Sequence, residues 1–186
     1  MKLFISLVIL FSVGAVGKAQ QKYFTKTAKI SFFSKAPLEN IEAVNNKVVS
    51  VWDVETGQLE FAVLMKGFEF QKALMQEHFN ENYVESDKYP KALFKGSIEN
   101  SKSISLTTDN VVTVNITGYL TIHGLTNPVN TTGVITVKNG IISASSNFTI
   151  TLADYGISIP SVVADKISKK IAIAVNIPAY QLMAPK

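Results

Sequence analysis

The chain has 186 residues, 47% of them hydrophobic and 17% charged, with a formal net charge of +4. All 18 basic residues are lysines, and there is no cysteine. Disulfides and thiol chemistry are thereby excluded, and without the bidentate arginine fork a dedicated phosphate or nucleic-acid reader is not expected.

Met1–Ala19 reads as a secretory signal peptide: Lys2 gives a positive start, Leu3–Val16 is an apolar run, and Gly17-Lys18-Ala19 offers small residues for cleavage. The run has 14 residues, short of the roughly 20 that span a bilayer. The expected location is periplasmic or secreted. Removing Lys2 and Lys18 lowers the net charge from +4 to +2. That bulk charge is too small to imply nucleic acid or an anionic membrane as partner. Residues 20–186 suit one domain.

Residues 22–34 (KYFTKTAKISFFS) start the first strand, with Ala28, Ile30 and Phe32 on one face and Pro37 ending it. Ile41–Val44 and Lys47–Val54 flank Asn45-Asn46, which predicts a tight turn, because Asn tolerates positive φ. Glu55-Thr56-Gly57 turns the chain into Gln58–Lys66, where Leu59, Phe61, Val63 and Met65 share a face. Gln71–Phe79 has good helix formers and no β-branched residue, and predicts a short helix closed near Asn80 and Asn82. Ala92–Asn100 returns to strand, extending toward Leu106.

The stretch from Val111 carries the strongest pattern. Val112, Val114, Ile116, Gly118, Leu120 and Ile122 alternate with Thr113, Asn115, Thr117, Tyr119, Thr121 and His123. This is an antiparallel strand with an apolar and a hydroxyl-rich face. Gly124–Pro128 is expected to turn out of it. Asn139-Gly140 predicts a type I′ hairpin between Val129–Lys138 and Ile141–Leu152. Ser161–Ser168 reads as a helical turn and Lys170–Ile177 as the last strand. About eight strands in local hairpins, with no βαβ alternation, predict an all-β, eight-stranded antiparallel up-and-down barrel with one short helix.

Chemistry is sparse. On a helix, His78 and Glu81 stand at i, i+3, yet His123 is the only other histidine, so a solvated face is the expectation over a metal site. His123 is expected to bond the turn that follows it. Glu81, Glu85 and Asp87 read as loop surface, and there is neither a Gly-x-Ser-x-Gly elbow nor a phosphate loop. No cofactor or catalytic residue is indicated. Phe61, Phe68, Phe70, Phe79, Tyr83, Phe94 and Phe148 either line a cavity or pack a solid core.

Three stretches resemble the YceI-like family of secreted polyisoprenoid- and lipid-binding barrels: HFNENYVESDKYPKALFKGSI (His78–Ile98), TGYLTIHGLTNPV (Thr117–Val129) and FTITLADYGISIP (Phe148–Pro160). By position, Phe79, Tyr83, Tyr89, Pro90 and Phe94 match the first motif. Leu120, Ile122, His123 and Gly124 match the second, and Asp154, Tyr155 and Gly156 the third. The chain departs from the family where Tyr119 replaces an acidic residue and where Tyr23–Leu38 lacks a histidine. The resemblance implies a lipocalin-like barrel whose interior holds a long hydrocarbon chain, with no enzymatic activity. It makes the cavity reading the expected one, lined by the seven aromatics together with Leu74, Ile116, Leu120, Ile122 and Ile150. A helix that interrupts a meander commonly caps one barrel end, so the cavity is expected to open at the end near the Phe68–Tyr83 helix. The implied partner is an isoprenoid or other lipid. Oligomeric state stays open, a homodimer included. The alternatives are a small outer-membrane barrel, with its apolar face turned to lipid, and a lipocalin-like enzyme.

Overall fold

The computed structural model describes residues 21–184; the stretch read from the sequence as a signal peptide lies outside them. The strands are β1 (Lys22–Lys35), β2 (Asn40–Asp53), β3 (Gln58–Leu64), β4 (Glu69–Phe70), β5 (Lys91–Ile98), β6 (Asn110–Ile122), β7 (Leu125–Lys138), β8 (Ile141–Thr151) and β9 (Lys170–Leu182). Each long strand pairs antiparallel with the next, and β9 returns to pair with β1, closing an eight-stranded ring. Closure gives every strand of the ring two neighbours. The two-residue β4 adds outside it, against Ala43 and Val44 of β2.

The alternation read from β3, β5, β6 and β9 fixes the two faces. Leu59, Val63, Ala92, Ile98, Val114, Leu120, Ile122, Ile171 and Ile177 are buried. Thr113, Asn115 and Tyr119 are exposed on the opposite face of β6. An outer-membrane barrel needs the reverse arrangement, apolar side out.

Three sequence expectations are corrected. Asn45-Asn46 is not a turn: β2 runs straight through it, opposite β1. The pair forms a β-bulge, because Ala28 faces Val48 while Ile30 faces Asn45, so β2 carries an extra residue. Before the bulge the odd positions Ala43 and Asn45 are buried; after it the even positions Val48, Ser50 and Trp52 are. Asn45 takes the inward site by satisfying itself: its Nδ2 donates to the Leu64 carbonyl at 2.9 Å, and its Oδ1 accepts from Lys47 N–H at 3.0 Å. Second, the turn after β6 is His123-Gly124 alone, with φ of 50° and 76°. Ile122 pairs with Leu125, and Pro128 sits within β7 opposite Tyr119. Third, β5 stops at Ile98, and a 3-10 turn at Ser101–Ser103 follows.

The helix forms as α1 (Ala73–His78) and continues into a π-type turn over Phe79–Tyr83, the region of Asn80 and Asn82 where it was expected to close. Asn139-Gly140 takes the type I′ conformation, with φ of 51° and 76°. The long 65–90 connection, the short 36–39 loop, the His123-Gly124 turn and the 152–169 segment therefore gather at one end of the barrel.

Candidate functional site: an apolar barrel cavity

The opposite end is plugged by aromatic side chains. Trp52 is fully buried; its Nε1 donates to Ser101 Oγ at 3.0 Å. Its ring packs 5.9 Å from Tyr180 and 6.2 Å from Tyr23. Tyr180 and Ser50 share a buried hydrogen bond of 2.9 Å. Burial holds the Tyr180 phenol well above its ordinary range, so it stays neutral and acts as a floor.

Above this floor lies a cavity of about 620 Å³, within the usual range of ~300–1,000 Å³ for small-molecule sites. Phe61, Phe68, Phe70, Leu74, Phe79, Tyr83, Phe94, Ile116, Leu120, Ile122, Phe148 and Ile150 all line it. Sequence reasoning missed Ile30, Phe32, Trp52, Ile173 and Val175, which line it too. The signal was available: Ile30 and Phe32 share a face of β1, as Ile173 and Val175 do of β9. The polar rim was also missed. Glu39, Lys72, His78 and Lys166 border the same space, and Lys72 Nζ meets Glu39 Oε1 at 2.8 Å. Glu39, Lys72 and Lys166 come from loops, where no periodicity marks an inward side chain, and His78 is the last residue of α1.

Two local devices shape the wall. Gly96 and Gly118 are cross-strand partners on β5 and β6. A Cβ on either would come within 2.6 or 2.7 Å of Phe94 Cζ. The glycines thus let the Phe94 ring lie flat against the wall instead of filling the lumen, where it meets Phe61 at 6.2 Å. At the helix end, Phe79 stacks on Phe32 at 5.5 Å and meets Phe68 and Phe70 at 5.8 and 5.1 Å. This cluster ties the helical segment to β1. Such contacts each contribute about 0.5–1.5 kcal/mol beyond area burial.

His123 does not line the cavity, and its partners are not in the following turn. Its Nδ1 lies 3.1 Å from the Tyr155 carbonyl and its Nε2 2.6 Å from Glu85 Oε2. A carbonyl only accepts, so Nδ1 donates to Tyr155, and Nε2 shares the second hydrogen bond with the Glu85 carboxyl. The His123 hydrogen bond, helped by Lys88, holds the Glu85 carboxyl below its ordinary range. Tyr89 packs edge-on to the ring at 4.7 Å. Glu85 and Tyr89, His123, and Tyr155 come from the three separate motif stretches. The structure joins these stretches at one brace beside the cavity mouth. Glu85 and His123 both hold positive φ, 44° and 50°, a region that residues with a Cβ adopt uncommonly.

A closed antiparallel barrel with a plugged floor, an apolar lumen and a polar rim defines a ligand-binding barrel of the lipocalin-like kind. The chain belongs to the YceI-like domain family, whose sequence model matches residues 20–179. A polyisoprenoid-binding domain from Saccharophagus degradans, implicated in plant cell wall breakdown, superposes with a TM-score of 0.77 at 12% identity, over 89% of this chain and 100% of that one. BcnA from Burkholderia cenocepacia gives 0.65 at 16% identity, over 81% and 94%. A YceI protein from Campylobacter jejuni gives 0.51 at 15%, over 100% of both. At these identities the likeness is one of fold. No curated protein sequence matches the chain.

Proposed function

We propose that this protein is a periplasmic or secreted lipid carrier that holds a polyisoprenoid or another long-chain apolar molecule in its barrel and performs no covalent chemistry on it. The observation that carries the reading is the cavity itself: about 620 Å³ of space whose floor and walls are aromatic and aliphatic. Transfer of hydrocarbon into such a lumen contributes about 0.8 kcal/mol per CH₂. Affinity then grows with chain length and needs few polar contacts, which suits a chain without arginine. The rim of Glu39, Lys72, His78 and Lys166 leaves a polar head group facing water while the tail is buried.

The test is a cavity-filling variant. Ile150 lines the lumen, so Ile150→Trp places an indole in the ligand's volume. Displacement of a fluorescent apolar probe by a soluble isoprenoid should weaken at least tenfold. Unfolding should shift by no more than the ~1–3 kcal/mol of ordinary overpacking. Wild-type affinity in a folded Ile150→Trp protein would place the ligand elsewhere and end the reading.

A further inference from the structure

Every strand of the closed ring has two neighbours, but the ladders are not equally long. β6 and β7 pair without a break from Ile122↔Leu125 to Asn110↔Val137, and β8 follows β9 as far as Thr151↔Lys170. Between β7 and β8 the register starts at Lys138↔Ile141 and stops at Gly133↔Ser146. Beyond that point residues 125–132 of β7 pair with β6 alone, and residues 147–151 of β8 with β9 alone. The two stretches face each other across a seam that runs from mid-wall to the open end.

Side chains span the seam where the ladder ends. Ser146 Oγ donates to the Thr132 carbonyl at 2.7 Å. Thr131 Oγ1 donates to the Asn147 carbonyl at 3.2 Å, with the Thr132 carbonyl at 3.3 Å. At the mouth, Asn127 Nδ2 donates to the Asp154 carbonyl at 2.7 Å. Pro128 fits the same edge. Counted from the Asn139-Gly140 turn, the antiparallel alternation aims the N–H of even-numbered β7 residues at β8, and proline has none to leave unpaired there. Thr132 does have one, and its N–H faces the seam beyond the last register pair. The hydroxyls of Thr131 and Ser146 spend their protons on carbonyls, so their oxygens remain acceptors. Both residues border the cavity, beside Val129, Phe148 and Ile150. An apolar stretch of wall thus carries two acceptors at the lumen and a donor in its plane.

We propose that the β7–β8 seam is a polar subsite of the cavity, which binds the hydroxyl of a long-chain alcohol. A neutral hydroxyl matches the set of groups, because it donates and accepts at once. An ionised carboxylate only accepts, and its charge would sit below the rim among apolar side chains. A plain hydrocarbon leaves the seam groups unanswered. The inference rests on the lipid-carrier reading and narrows its ligand: Thr131 and Ser146 select an oxygenated chain over a hydrocarbon of the same skeleton. The subsite lies in the half of the wall next to the mouth, so the hydroxyl is held there while the tail runs down toward the floor.

The experiment is displacement of a fluorescent apolar probe by farnesol and by farnesene, a hydrocarbon of the same carbon skeleton, from wild type, Thr131→Val and Ser146→Ala. A loosened wall weakens both ligands alike, so the readout is the ratio of the two affinities. The preference for farnesol should fall about three- to tenfold in each variant, the worth of one hydrogen bond. In wild type, farnesol should also slow hydrogen exchange at the Thr132 amide more than farnesene does at equal saturation, a readout that needs no folded variant. An unchanged ratio in both folded variants would overturn the proposal and leave the carrier reading standing. Equal exchange at Thr132 with the two ligands would do the same. A wild type that binds neither ligand would remove both readings.

Discussion

Phe94 shows how a single side chain decides between a cavity and a solid core. Its ring lies over Gly96 and Gly118 because neither has a Cβ. Gly96→Ala would put a methyl carbon about 2.6 Å from Phe94 Cζ and against the Thr117 carbonyl. The ring must then swing into the lumen and the β5–β6 backbone must part at the Thr117 carbonyl, at an overpacking cost of at least about 1–3 kcal/mol. Thermal unfolding should fall by several degrees and probe capacity should drop with it; an unchanged melting temperature would mean the wall yields instead. His123 acts outside the lumen, as a brace between Glu85 and the Tyr155 carbonyl. Its bond keeps the Glu85 carboxyl low, with Lys88 assisting. A carboxyl lowered in the folded state stabilises above its unfolded value, near 4.5, and that contribution is lost as pH falls through the folded value. Amide exchange across residues 79–90 should therefore accelerate as pH drops below about 4.5 in the wild type, after correction for intrinsic rates. In Glu85→Gln that acid-induced step should be missing. The same step in both proteins would show that the brace is not what titrates.

At the scale of elements, the 65–90 connection separates anchoring from gating. The sequence reading puts Leu74 and Phe79 alike among the cavity-lining residues. The structure divides them. Leu74 is 61% exposed at the mouth, whereas Phe79 packs against Phe32, Phe68 and Phe70. Leu74→Trp should change the dissociation rate of a bound probe severalfold while stability moves by less than about 0.5 kcal/mol. Phe79→Ala should cost about 3 kcal/mol and loosen the helical segment, seen as lost unfolding free energy in denaturant. Equal stability losses in the two variants would make the helix plain core. The legibility of each element follows from the same physics. β3, β5, β6 and β9 were readable because one face meets the lumen and the other meets water, which writes a period of two into the sequence. The bulge in β2 was not, because one extra residue inverts the phase at Asn45 and imitates a turn. The His123-Gly124 turn was displaced by the pull of Pro128, a residue tolerated here inside β7.

For the whole molecule, the closed ring, the aromatic floor and the ring of loops at the other end make a vessel with one intended opening. The barrel followed from strand count and local hairpins. Of the twelve candidate lining residues, Phe61, Phe94, Ile116, Leu120, Ile122, Phe148 and Ile150 follow from inward strand parity, the five in the 65–90 connection from their aromatic and apolar character and the family resemblance, and all twelve border the cavity. The rim of Glu39, Lys72 and Lys166 was illegible because loops carry no period, and the joining of three distant motifs at His123 is a matter of tertiary contact alone. What the vessel holds is the central question. The most direct measurement is native mass spectrometry of the protein purified from its source without detergent, followed by organic extraction and challenge of the apo protein with an isoprenoid. The account predicts a non-covalent adduct of a few hundred daltons that extracts as hydrocarbon-rich lipid, or uptake of one added isoprenoid per chain. A protein that carries no adduct and takes up no added isoprenoid would contradict it.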